Sequence, residues 1–336
     1  MVTPSLRTTF FLLSFAVVGL TARANAADDA TAKGGIRLLE SRKIWDAAPH
    51  NAFTDLVRFK DRWLCVFREG AGHVAPDGKL RVIESADGRE WKSAALIELT
   101  GADLRDAKVC ITPDGKLMLS GAAARPEGAG KSHQTMAWFS DDGRDWGRGV
   151  EIGEKNYWLW RVTWQGERAY GVGYATGGAP GVRLYSSRDG RQFDPLVPTL
   201  FSEGQPNEHA LVFLEDGTCY CLLRRDAGTK TGQLGIAKPP YKEWSWKDLG
   251  KQIGGPMMIR LPDDRFIAGV RLYDKRVRTS LCWVDPDKGT LTECLALPSG
   301  GDTSYPGLVF HDGLLWVSYY SSHEGKTSIY LAKVKS

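Results

Sequence analysis

Between residues 205 and 225 the chain reads QPNEHALVFLEDGTCYCLLRR. Glu208 precedes one apolar run, Arg224 ends a second, and Glu215-Asp216-Gly217 stands between them. Asp-Gly between two alternating apolar runs is the strongest short signal for a β-hairpin. The chain must therefore fold back and return Arg224 to the rim where Glu208 stands. A carboxylate and a guanidinium at one rim can bind a polar ligand, the guanidinium through charge-assisted and partly bidentate hydrogen bonds that lysine does not reproduce.

The elements that would position this pair recur along the chain. An apolar strand, a short polar turn and a second apolar strand appear six times, at 56–67, 109–121, 162–174, 211–224, 258–271 and 308–320. The turns fall near Asp61, Asp114, Gly166, Asp216, Asp263 and Asp312, a period of roughly 50 residues that belongs to propeller repeats. A third strand follows each hairpin. Three of these run into Ser-x-Asp-Gly-x-x-aromatic, at 85–91, 140–146 and 187–193, with a worn copy at 285–289. In such a turn the Ser and Asp side chains accept backbone N–H bonds and Gly takes positive φ. The last repeat lacks its outer strand, and IRLLESRKIW at 36–45 is free to supply it, closing the ring without a raw edge. The fold class expected is all-β, a six-bladed β-propeller closed by the N-terminal strand.

In a blade of four antiparallel strands, the segment entering the first strand and the loop leaving the second share one face of the disc. The entering segments are HNAFTD, ADLRD, YWLWR, QPNEH, GGPMM and DTSYP, and the exits include REGAGHVAPD, RRD, RLYDKR and SSHEGK. They are rich in Arg, Glu, Asp, His and Tyr. Convergent ionisable groups at one mouth of a central channel predict a site for a polar ligand. Arg225 is expected to point away from it, Asp106 to pair with Arg105, and His323 and Glu324 to stand on the rim.

Other features bound the function. Arg7, the apolar stretch from Phe10 to Leu20 and Ala24-Asn25-Ala26 have the form of a cleaved leader, predicted as 1–26, with one propeller domain over 27–336. No later segment is apolar enough to span a bilayer, so the expectation is an exported periplasmic or extracellular protein of bacterial type. A net charge of +4 spread among acidic residues argues against nucleic acid as a partner. The six cysteines and six histidines show no metal-ligand spacing, so neither a metal nor a cofactor is expected. Most cysteines sit in apolar runs and read as buried thiols, while Cys282 and Cys294 could face each other across a hairpin.

The pattern resembles the bacterial exo-sialidases of the Asp-box propeller superfamily. These carry a glutamate in an Asn-Glu-x-x-Val-Val-Glu-Leu-x-Asp-Gly segment and a clamp arginine sixteen residues later, and Glu208 and Arg224 stand sixteen apart. The resemblance implies that Tyr305, opening the last hairpin, is the nucleophile, activated by Glu208. It implies a further clamp arginine at Arg278, in Arg-x-x-Leu, with Arg276 as its competitor, and an acid/base group in the 68–77 loop, where Asp77 and His73 are the candidates. Where the family has an arginine entering its first blade, this chain has Ala52-Phe53-Thr54-Asp55, leaving Arg68, Arg105 or Arg161 to replace it.

The chemistry so implied is coherent. Sialic acid carries a carboxylate on its anomeric carbon, which repels a carboxylate nucleophile but not a neutral tyrosine deprotonated by its neighbour. Sialidases, with a tyrosine nucleophile, are an exception to the two-carboxylate rule of glycosidases. The function expected is a secreted exo-glycoside hydrolase removing a terminal sialic acid from a glycan. A hydrolase or lyase for a uronic sugar, and a non-catalytic carbohydrate-binding propeller, are the alternatives.

Overall fold

The computed structural model describes Met1 and residues 35–128 and 130–336; apart from Met1, the expected leader lies outside the described residues. Every regular element in them is a β-strand, twenty-four in all, and among the described residues no helix is long and apolar enough to cross a membrane. All six repeated hairpins form, with strands on both sides of the expected turns. The first pairs His50–Phe59 with Arg62–Gly70, and the fourth pairs Pro206–Phe213 with Cys219–Arg225. In the third, the inner strand is split into Tyr157–Leu159 and Thr163–Gln165, both paired with Arg168–Ala175.

The inner strands touch one another in sequence, and the first, His50–Phe59, also packs on the last, Thr303–His311. This cycle is a β-propeller. Arg37–Trp45 pairs antiparallel with the C-terminal strand Ser328–Lys335, as expected of the closing strand. The sequence predicts six separate blades, whereas hydrogen bonding groups the strands into five sheets. The reason is one long strand, Ser245–Arg260: its first half pairs with Thr231–Ala237 and its second half with Phe266–Leu272, so two repeats merge into seven strands.

The Ser-x-Asp-Gly turns hold their corners as polar chemistry requires. Asp87, Asp142 and Asp189 each accept two backbone N–H bonds at 2.7–3.1 Å, and Gly88, Gly143 and Gly190 take φ near +70°. Trp91 and Trp146 donate their indole N–H groups back to the glycine carbonyls of their own turns. Apolar side chains from neighbouring sheets fill the spaces between them, as with Leu64, Leu80, Leu104 and Leu119 between the first two. Burial at roughly 25 cal/mol per Å² of apolar surface is what holds the sheets together. All six cysteines are free thiols; Cys282 does not bond Cys294, and Glu293 is its cross-strand partner.

Candidate active site

A β-bulge interrupts five of the six inner strands at the same place. The register slips between Ala52 and Asp55, Arg105 and Lys108, Pro206 and His209, Gly254 and Met257, and Ser304 and Gly307. Phe53, Asp106, Gly255 and Tyr305 adopt φ values of +63°, +54°, +54° and +50° there. Positive φ is strained for large side chains, and bulges commonly re-aim a side chain beside a site. Phe53, Asp106, Trp158, Glu208 and Gly255 each precede their turn residue (Asp61, Asp114, Gly166, Asp216, Asp263) by eight positions, and Tyr305 precedes Asp312 by seven. Five of these six line one cavity of about 280 Å³, with His73, Arg105, Tyr174, Asn207, Arg224 and Asp226. Larger hollows of about 860 and 950 Å³ lie elsewhere, but neither contains the Tyr305 and Glu208 pair.

Tyr305 donates its hydroxyl to Glu208 Oε1 at 2.5 Å. Arg224 Nη1 lies 2.8 Å from Glu208 Oε2 and donates to the Tyr305 hydroxyl at 3.1 Å, so the three groups form a closed triangle. The Gly255 amide donates to Glu208 Oε2 at 2.8 Å. Burial would raise the Glu208 carboxyl, but the Arg224 charge and these hydrogen bonds outweigh it and hold it below the ordinary glutamate range. Burial and the Glu208 charge together keep Tyr305 protonated far above the usual phenol range, against Arg224 and Arg271. The resting pair is thus a neutral phenol on a carboxylate.

The ring of Tyr305 is fixed from several sides. Phe53 meets it edge-on at 5.1 Å and Trp160 at 5.5 Å, while Thr54 donates to its carbonyl at 2.8 Å. Gly255 leaves the remaining space: a Cβ there would lie 2.7 Å from ring carbons of Tyr305. Gly255→Ala should therefore displace the phenol. The expected result is at least a ~10-fold loss of turnover, since small displacements of reacting groups are costly. A lowered melting temperature should accompany it, because alanine at positive φ costs about 1–2 kcal/mol. Steady-state kinetics beside a thermal melt check both.

Sixteen residues after Glu208 stands Arg224, and sixteen after Gly255 stands Arg271. Arg271 places its guanidinium carbon 5.2 Å from the centre of the Tyr305 ring and donates to the Thr303 carbonyl at 2.6 Å and the Tyr320 hydroxyl at 2.8 Å. The arginine of this hairpin that reaches Tyr305 is Arg271, not Arg278. Arg278 turns to the neighbouring strand, bonding Glu293 through Nε and Nη2 at 2.7 Å each and the carbonyls of Asp274 and Arg276.

Three further expectations are corrected. Arg68 is fully buried, spending all three nitrogens on Asp103 and on the carbonyls of Gly72, Ala75 and Leu104, which anchors the 71–77 loop. Arg161 lies under the site, bonded to buried Asp55 at 2.7 Å. Asp77 caps the Ala71 amide with both oxygens and is not part of the cavity wall. Arg105 and His73 do line the cavity; Arg105 lies 5.9 Å over the Trp158 ring and donates to the His73 carbonyl. Arg225 points away, to Asp248 and Thr231.

Asp106 is the acid that residue-by-residue reading misplaces. It does not bond Arg105, and its buried Oδ1 has no hydrogen-bond partner among the described residues. Burial first, then the charge of Glu208, raises its carboxyl above the ordinary range, against Arg105 and Lys108. A carboxyl group whose protonated form burial favours thus shares the cavity with the Tyr305 and Glu208 pair. Beneath it, burial and the Arg161 charge bring Lys108 down to about 8, its ammonium 4.8 Å from the Trp160 ring and 5.8 Å from the Tyr305 ring.

No known sequence family matches the chain, and no curated protein does. Solved structures do. A Dyadobacter fermentans protein of unknown function superposes with TM-score 0.80 at 18% identity, over 90% of this chain and 100% of its own. An α-L-arabinofuranosidase from Fusarium graminearum gives 0.70 at 12% identity, over 89% and 98%. The Trypanosoma rangeli sialidase gives 0.65 at 13% identity over 85% of this chain and 55% of its own, so the likeness reaches just over half of that enzyme. The shared feature at these identities is the fold: the chain has a propeller of the kind found in sialidases and in an arabinofuranosidase.

Proposed function

We propose that this protein is a retaining exo-glycoside hydrolase that removes a terminal acidic sugar, sialic acid first among them, from a glycan. The observation that carries this is the triangle of Tyr305, Glu208 and Arg224 in the wall of one cavity. In the first step the Tyr305 oxygen bonds the anomeric carbon while its proton passes to Glu208, and the glycosidic bond breaks with Asp106 protonating the leaving oxygen. In the second, water attacks the glycosyl-tyrosine, giving a proton to Asp106, and Glu208 returns the phenol proton. Two groups with pKa values displaced in opposite directions, Glu208 down and Asp106 up, are what such a cycle needs. Arg224 and Arg105, which face the cavity, would receive the sugar carboxylate.

The proposed architecture is six blades, with the two halves of Ser245–Arg260 serving as the outer strand of one and the inner strand of the next. The chain would act outside the cytoplasm after loss of its leader.

One observation favours a second sugar class. Arg68, Arg161 and Arg278 are all bound to internal carboxylates, so the clamp has fewer arginines than a sialic-acid site of the expected pattern. A neutral furanoside such as an arabinoside would need no clamp. A panel of sialosides, uronides and arabinosides separates the readings. Release of sialic acid or a uronic acid supports the acidic-sugar reading, release of arabinose replaces it, and glycan binding without release of any sugar makes the protein a lectin-like propeller.

A further inference from the structure

At the rim of the Tyr305 cavity, two imidazoles and a carboxylate from distant segments meet at one point. His50 opens the first inner strand, His73 lies in the loop after the second strand, and Asp302 precedes Thr303–His311. His50 Nε2 lies 3.0 Å and His73 Nδ1 2.7 Å from the same oxygen, Asp302 Oδ2, and one ligand atom from each residue lies within 4.8 Å of the others. The other carboxylate oxygen is already engaged: Tyr320 donates to Oδ1 at 2.8 Å and Arg271 approaches it at 3.5 Å. Ser322 Oγ accepts from the Asp302 amide at 2.9 Å. The carboxylate is thus aimed by outer partners, as metal-ligating carboxylates are. His50 is 7% exposed; an ion at Nε2 displaces the proton shared with Asp302 and leaves the ring N–H on Nδ1, which has no hydrogen-bond partner among the described residues.

We propose that His50, His73 and Asp302 form a binding site for one divalent transition-metal ion of the zinc class. Zinc bonds to imidazole nitrogen and carboxylate oxygen are about 2.0–2.2 Å, which places tetrahedral ligand atoms roughly 3.4 Å apart. The two short contacts need to open only by some tenths of an ångström to admit the ion. Two imidazoles with one carboxylate suit zinc, whereas calcium and magnesium take oxygen ligands. Three protein ligands leave a fourth position open. His73 belongs to the cavity wall, so the ion stands at the rim of the sugar site, where a hydroxyl or carboxylate of the ligand can complete its shell. The positions 50, 73 and 302 show no ligand spacing because only closure of the propeller ring brings them together.

The test reads metal rather than turnover, so it is independent of the glycosidase reading. The untagged protein is stripped with chelator and titrated calorimetrically with zinc chloride, with magnesium chloride as comparator, and bound metal is counted by elemental analysis. The expected result is one zinc per chain at micromolar affinity or tighter, with magnesium not bound. His50→Ala, His73→Ala and Asp302→Asn should each weaken zinc at least ~10-fold. His73 is half-exposed, so its variant tests the site even where changes at buried His50 disturb folding. Absence of zinc uptake, or uptake unchanged in the His73 variant, overturns the site and leaves His50, Asp302 and His73 as a hydrogen-bonded relay.

Discussion

Tyr305→Phe should fold and bind sugar yet lose turnover by roughly 10³-fold or more, the scale on which removal of a nucleophile acts. The phenyl ring keeps its contacts with Phe53 and Trp160, and Glu208 keeps Arg224 and the Gly255 amide, so the cavity survives. What disappears is the oxygen that bonds the anomeric carbon. The loss should fall on kcat, with KM changed little, because the hydroxyl is already spent on Glu208 in the resting site. Steady-state kinetics on the substrate found in the panel, beside calorimetric binding of the released sugar, measure the two parts. A variant that turns over at the wild-type rate would remove Tyr305 from the mechanism.

Asp106→Asn should lower turnover of natural glycosides by about 10²–10⁴-fold, the range for loss of a general acid. The deficit should shrink on aryl glycosides with acidic leaving groups, which depart without a proton. The pH profile gives a second reading. Asp106 acts in its protonated form, and burial raises its pKa, so that form persists to higher pH than in an ordinary aspartate. Wild-type activity should fall as pH rises through the raised value, and this alkaline limb should vanish in Asp106→Asn. Glu208 acts as the base and is held low, so the acid limb should lie below the ordinary glutamate range and persist in the variant. Equal loss on all leaving groups would make Asp106 a structural residue.

The hairpins and the sixteen-residue link from Glu208 to Arg224 are legible because each is a matter of local spacing, and the closing strand because the last repeat is one strand short. The turn at Asp216 leaves little freedom in where Arg224 returns. The merged sheet was not legible, since nothing in Ser245–Arg260 marks that its pairing partner changes midway. The Arg-x-x-Leu pattern points to Arg278, whereas the sixteen-residue spacing that links Glu208 to Arg224 also links Gly255 to Arg271. Asp106 was hidden for a related reason: its role emerges only when the six repeats are aligned on their turn residues, which places it level with Glu208 and Tyr305. Which arginines turn inward depends on where carboxylates such as Asp55, Asp103 and Glu293 lie after folding, and no spacing reveals that.

The central claim is that Tyr305, prepared by Glu208 and Arg224, forms a covalent bond to the sugar. A fluorinated analogue of the cleaved glycoside, which slows the second step more than the first, should trap that species for intact-mass and peptide mass spectrometry. The account predicts a mass gain of one glycosyl unit per chain, located on the peptide containing Tyr305 and absent from Tyr305→Phe. A glycosyl group found on Glu208 or Asp106, or no adduct from an analogue that inactivates the enzyme, would contradict it.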